Sequence, residues 1–120
     1  MQKHSSSFAI IVNQDNKALF LLRDNNPHIP NPNTWSLIGG AAEEGETAEE
    51  TLIREVLEET NLKIDSKGLI FLDSLKSLET NKFRRLFFTK ISRDQENTIK
   101  LGNEGQKLQF FTLVQLGMFI

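Results

Sequence analysis

Residues 47–62 constrain the fold of this chain more than any other stretch. Thr47 is a good helix N-cap, and Glu50 stands three residues later, the spacing of a capping box. Acidic residues in the first turn suit the helix dipole. Residues 51–60 contain no Gly or Pro, and Asn61 stands where a left-handed C-terminal cap is expected. At about 100° per residue, Leu52, Ile53, Val56 and Leu57 fall on one side, with Leu52 nearest its edge. Glu55, Glu58 and Glu59 gather on roughly the opposite side. A helix with one apolar stripe must bury it against a second layer.

The same segment concentrates charge. Eight of the chain's 16 acidic residues lie between Glu43 and Glu59, opposed there only by Arg54. Carboxylates at i,i+3 and i,i+4 spacing repel one another. Arg54 can reach Glu58 or Glu50 by an i,i+4 step, but one cation does not neutralise the group. A solvated acidic face is one outcome. A bound divalent cation is the other, and an all-oxygen ligand set suits Mg²⁺ or Mn²⁺.

The rest of the chain supplies the partner layer. Residues 1–7 read as a loose polar start. Residues 8–12 and 17–22 read as strands joined by an Asn-Gln-Asp-Asn turn. Residues 24–33 hold all three prolines and read as a loop. Residues 35–38 form a short extended piece ending at Gly39-Gly40. Strands are expected at 68–72, 83–91 and 108–111, with a polar stretch without elements at 92–107. Thr112 is read as the cap of a helix that the sequence ends before completing. This order predicts an α/β or α+β layered fold around one core. At 120 residues it is one domain, residues 1–120. Cysteine is absent, which excludes disulfides and thiolate chemistry. Net charge is −2, which argues against nucleic acid as a partner. Without a long apolar run or a leader, no membrane association is expected and the location is read as cytoplasmic.

The Gly-rich approach to the helix decides between the two outcomes for its charge. Gly40 is followed after five residues by Glu46, and after seven more by Arg54-Glu55-Val56-Leu57-Glu58-Glu59-Thr60-Asn61-Leu62. This resembles the Nudix box, Gly-x5-Glu-x7-Arg-Glu-U-x-Glu-Glu-x-Gly-U with U aliphatic, except that Asn61 replaces the last Gly. Asn is next best to Gly at positive φ, so Asn61→Gly is expected to change little. Lys17-Ala18-Leu19-Phe20-Leu21-Leu22-Arg23 resembles the family's early strand. Trp35-Ser36-Leu37-Ile38-Gly39-Gly40 resembles its approach to the box, with Ile38 where Pro is usual. Glu104-Gly105 followed by Phe110-Phe111 resembles a late segment. The likeness covers about residues 8–116, and residues 23–35 are also similar to a bacterial subgroup whose substrates are not settled.

The resemblance implies a Nudix-type α/β/α sandwich with a mixed β-sheet and a loop-helix-loop box, its C-terminal helix incomplete here. It also implies a phosphoanhydride hydrolase that cuts a diphosphate in a nucleoside diphosphate linked to another group X, using Mg²⁺ or Mn²⁺. Carried over by position, Glu55, Glu58, Glu59 and the Gly39 carbonyl become metal ligands. Glu58, Glu59 and Glu104 become catalytic, with Glu104 as ligand or base on a mobile loop. Gly40, Glu46 and Arg54 support the site. Arg23 would hold phosphate, and Phe110 would stack on the substrate. A Nudix-like nucleotide-binding or regulatory module without turnover is the alternative, against which the full set of carboxylates argues. The partner is a small diphosphate, a nucleotide for preference, with a homodimer left open. No proline stands near Ser77 to mark an ADP-ribose hydrolase, and the absence of tyrosine weakens a dinucleoside polyphosphate. Nucleoside triphosphates, nucleotide sugars and non-nucleotide diphosphates are left.

Overall fold

A computed structural model describes residues 5–77, 82–112 and 114. Its elements run β1 (Ser6–Val12), β2 (Ala18–Leu22), β3 (Trp35–Ser36), β4 (Ile38–Ala41), α1 (Ala48–Thr60), β5 (Ile70–Lys76), β6 (Phe83–Lys90), α2 (Arg93–Glu96) and β7 (Lys107–Phe111). The strands make one mixed sheet in the order β3-β2-β1-β6-β5, with β4 added to β1 and β7 to β2. It is an α+β arrangement with α1 on one face, where α1 contacts β1 and β4. Among the described residues no helix is long and apolar enough to cross a membrane. The helix expected after Thr112 falls on residues 113–120, which apart from Val114 lie outside the described residues.

β1 organises the sheet. It runs parallel to β6 along its whole length, antiparallel to β4 over Ser6–Ala9, and meets β2 only at Val12. Ser7, Ala9 and Ile11 alternate into the core with Leu52 and Val56. The strand begins two residues before its apolar run because Ser6 and Ser7 already pair with Ala41 and Gly40. So part of the expected loose start is sheet. The extended piece at 35–38 splits at Leu37: β3 joins β2, and β4 carries on through Gly39 and Gly40 beside β1. β5 starts after a 3₁₀ turn at Ser66–Gly68 and runs on to Lys76, past the expected end at residue 72. Asp73 and Ser74 disguise that extension, and the pairing with β6 is bulged between Phe71 and Asp73.

The stretch at 92–107 contains the short helix α2. Ser92 caps it, accepting from the Gln95 N–H at 3.1 Å while the Gln95 side chain accepts from the Ser92 N–H at 2.9 Å. Ser-Arg-Asp-Gln is the same box spacing that marks the start of α1.

Helix α1 is where side-chain orientation departs from the simple wheel. Leu52 and Val56 are fully buried, each worth about 1.5–3 kcal/mol relative to exposure. Thr51 and Thr60 are buried beside them, their hydroxyls donating to Glu46 Oε1 at 3.0 Å and the Val56 carbonyl at 2.7 Å. Leu57, expected inside, is 43% exposed. The buried side is thus turned toward residues 48, 52, 55 and 59, away from Leu57.

Asn61 adopts φ 65°, the left-handed cap the sequence predicts, and its N–H donates to the Leu57 carbonyl. Its side chain makes a further bond: Nδ2 donates to the Thr98 carbonyl at 2.9 Å, tying the helix end to the segment that leads to Glu104. Asn61→Gly therefore loses a hydrogen bond along with side-chain strain. We expect it to lower the unfolding free energy by about 1 kcal/mol. Asn61→Ala, which also puts a Cβ without a hydrogen-bonding group into the left-handed region, should cost about 2 kcal/mol. Urea unfolding of both variants checks this, and an unchanged midpoint for Asn61→Gly would show that the Thr98 bond contributes nothing.

Candidate active site

At about 100° per residue, Glu55 and Glu59 lie about 60° and about 20° to one side of Leu52's direction, not opposite it. Both therefore point at the sheet. Glu58 stays outside, its side chain 55% exposed against 17% for Glu55. The expected ridge of three carboxylates facing away from the core is corrected accordingly: two face inward and one faces out. Carboxylates can occupy that side because the strand they meet has no side chains there. A Cβ on Gly40 would stand 2.6 Å from the Glu55 carboxyl carbon. Gly39, at φ 152°, donates its N–H to Glu59 Oε1 at 3.4 Å, and a Cβ on it would lie 2.7 Å from the Phe8 Cα.

The electrostatics divide these acids. Burial, then the neighbouring Glu55 carboxylate, pushes the Glu59 carboxyl up to about 9; Glu104 adds to the shift and the Gly39 N–H opposes it. Glu46 behaves oppositely. Arg54 first, then the Glu43 N–H and the Thr51 hydroxyl, hold it down at about 2. Arg54 clasps Glu46 with two bonds, Nε at 2.8 Å and Nη2 at 3.0 Å, the bidentate fit of guanidinium to carboxylate. Its Nη1 reaches Glu55 at 3.0 Å and Glu58 at 3.3 Å, and Nη2 also donates to the Ala41 carbonyl at 3.0 Å. These carboxylates raise the pKa of Arg54 further above its ordinary value, so it stays charged. Of the two partners expected by helix spacing it takes Glu58; Glu50 instead accepts from the Thr47 N–H at 2.9 Å. Glu46 and Arg54 thus join the loop before α1 to the helix itself.

Glu104 comes from a separate segment. It lines a cleft of about 280 Å³ with Glu55, Glu58, Glu59 and Asn103. Its loop is pinned on both sides: Gly102 N–H donates to the Glu59 carbonyl at 3.2 Å, and Gly105 N–H donates to Asp24 Oδ2 at 3.2 Å. A side chain at Gly102 would run into the Glu58 carbonyl. An adjoining cleft of about 250 Å³ brings Gly39, Gly40, Glu55, Glu59 and Glu104 together with Arg23. Arg23 Nε donates to the Pro30 carbonyl at 3.0 Å. Phe110 does not join them: it shares the sheet face of Leu19 and packs against the core. Its neighbour Phe111 is buried on the other face, edge-on to Trp35 at 4.9 Å between ring centres. The roles of Asn61 and Gly102 in holding the Glu104 loop escape sequence reasoning; only their positions after and across from the helix end reveal them.

The donor set fits a hard divalent cation in kind, since every side chain in the cleft that can ligate offers oxygen. Among the described residues, no three acidic or histidine side chains are gathered closely enough to form a ready cage. Arg54 instead draws Glu55 and Glu58 toward itself. Because the Glu59 carboxyl is raised in the folded state, the fold binds more protons than the unfolded chain between about pH 4.5 and 9. Stability without added metal must then fall as pH rises through that window. We expect the melting temperature to drop by roughly 5 °C or more, and Glu59→Gln to flatten the slope; an equal slope in both proteins would place the shift elsewhere.

Comparison with known proteins extends these observations. The chain is 27% identical over 110 residues to dihydroneopterin triphosphate diphosphatase of Escherichia coli, covering 89% of this chain and 71% of that one. It is 32% identical over 108 residues to ADP-ribose pyrophosphatase of Methanocaldococcus jannaschii, covering 88% of this chain and 60% of that one. The crystal structure of a MutT protein from Methanosarcina mazei superposes with a TM-score of 0.71 at 27% identity, covering 98% of this chain and 83% of that one. A family model described as the NUDIX domain matches residues 3–119, taking in every element that carries the carboxylates, the glycines and Arg54, and so the chain belongs to the NUDIX domain family.

Proposed function

We propose that this chain hydrolyses a diphosphate linked to a second group X, with a divalent cation, at the cleft between α1 and the Glu104 loop. Family membership and relatives named as diphosphatase and pyrophosphatase make it a diphosphate hydrolase. The observation that carries the local assignment is that Glu55, Glu58, Glu59 and Glu104, from two separate segments, line one cleft.

Glu55, Glu58 and Glu59, with the Gly39 carbonyl, would hold Mg²⁺ or Mn²⁺. The cation would supply charge neutralisation at phosphate and a nucleophilic water near neutral pH. Glu59 is the side chain that most needs a positive neighbour, because burial and Glu55 disfavour its ionised form. Arg54 must share Glu55 and Glu58 with a cation, and its bidentate hold on Glu46 keeps it in place while they turn. Glu104 lines the same cleft from a separate segment of the chain. From there its carboxylate would take the proton of the attacking water or complete the oxygen shell. Arg23, beside Gly39 and Gly40 in the adjoining cleft, would hold the phosphate oxygens with a guanidinium suited to that geometry.

Hydrolysis of a panel of nucleotide and non-nucleotide diphosphates tests the assignment, with products identified. Activity should require Mg²⁺ or Mn²⁺, vanish in excess chelator, and rise with pH through the alkaline range as the attacking water is more readily deprotonated. Full turnover in chelator would end the proposal. Glu59→Gln should remove most activity. Glu104→Gln should lower kcat by about 10–100-fold, with part of the loss restored by excess Mn²⁺. A Glu104→Gln enzyme with wild-type kcat would take Glu104 out of the site.

A further inference from the structure

The carboxylate clefts open into a groove of opposite charge. A cavity of about 650 Å³ shares Phe8, Arg23, Ser36 and Leu37 with the cleft that holds Glu55, Glu59 and Glu104. Beyond them it is lined by Arg84 and Arg85 of β6, and among the described residues no acidic one lines it. That is unusual for a chain with 16 acidic and 14 basic residues. Among the described residues, neither Arg23 nor Arg84 has a carboxylate partner. Arg84 instead lies over the Phe8 ring, 6.0 Å from its centre. A flat guanidinium resting on an aromatic ring keeps its N–H edge free for an anion.

Register fixes how far this end is from the carboxylates. Ser6 pairs with Ala41 on one edge of β1 and with Arg84 on the other; Ser7 pairs with Gly40 and Arg85 in the same way. Two strand spacings, about 10 Å, therefore separate the Gly40 backbone from the arginine strand. A diphosphate held at the carboxylate end would put a substituent on the far side of its sugar, or an equivalent group, at that distance.

We propose that X carries a second anionic group, a phosphate in the first instance, bound by Arg84 at the far end of this groove; the proposal rests on the diphosphate-hydrolase assignment above. Arg84 then sets substrate specificity without touching the bond that is cut. Its charge distinguishes a phosphorylated X from the same X without phosphate, and Arg23 lies between the two ends.

The test uses pairs of diphosphates that differ by one phosphate: coenzyme A against dephospho-coenzyme A, and NADP⁺ against NAD⁺. Turnover is measured with Mg²⁺ or Mn²⁺, and equilibrium binding by calorimetry without metal. The wild-type chain should favour the phosphorylated member of at least one pair by roughly tenfold or more in kcat/KM and in binding, the scale of one charge-assisted hydrogen bond. The preference should lie in KM rather than kcat. Arg84→Gln should bring the ratio close to one, and Arg84→Lys should retain part of it; melting curves of both variants establish that they fold. Equal handling of both members of each pair, no binding or turnover of any of the four, or a preference that survives Arg84→Gln, overturns the proposal. A binding preference that depends on Arg84 but comes with no turnover of any diphosphate would sustain the anion site and remove the hydrolase assignment instead.

Discussion

Like-charged carboxylates on one helix face repel, and the packing around α1 is arranged about that repulsion. Glu55 and Glu59 point at the sheet, where burial makes their charge more costly than on the surface. They can point there only because β4 presents Gly39 and Gly40, which leave room for a carboxylate against the backbone. A residue with a side chain at Gly40 would collide with Glu55 before anything else in the fold was disturbed. The approach of helix to strand, the raised proton affinity of Glu59 and the shape of the cleft therefore share one cause.

Arg54 is the counterweight. Its side chain touches Glu46, Glu55 and Glu58, and it holds Glu46 with both ends of the carboxylate engaged. The strongest of these contacts is with the one acid that does not line the cleft. Glu46 takes donors from the Glu43 N–H, the Thr51 hydroxyl and Arg54, so its charge is settled before any ligand arrives. Glu55 and Glu58 are held by fewer bonds and remain available to a cation. Two different jobs are thus separated among neighbouring acids: one fixes the loop to the helix, the others keep their lone pairs for the cleft.

The helix C-terminus performs a similar division. The Glu59 and Thr60 carbonyls, which a helix end leaves without intrahelical donors, accept from Gly102 and Lys100. The Asn61 side chain adds the bond to Thr98. A segment with weak intrinsic preference is in this way laid across the helix end, and Glu104 is delivered to the cleft that Glu59 lines. On the other side of the sheet's split, arginines replace glutamates, so the two ends of the groove carry opposite charge.

Much of this was legible in the residues. The capping box at Thr47 and Glu50, the left-handed cap at Asn61, the strand expected at residues 83–91 and found at Phe83–Lys90, and the acids at fixed helical spacing follow from local rules. Box spacing also identified the family. What the residues alone did not decide was direction. Ranking by hydropathy turned Leu57 inward and Glu59 outward, although the helical angle sets Glu59 within about 20° of Leu52; Gly39 and Gly40 of β4 leave the room for a carboxylate there. Nor could spacing show that Phe110 shares the core face of Leu19, since that depends on pairing of β7 with β2, or that Arg84 reaches the groove through a parallel pairing of β1 with β6. Those placements arise from contacts between residues tens of positions apart. Local sequence sets which conformations a segment prefers, but only the closed sheet sets what each side chain faces.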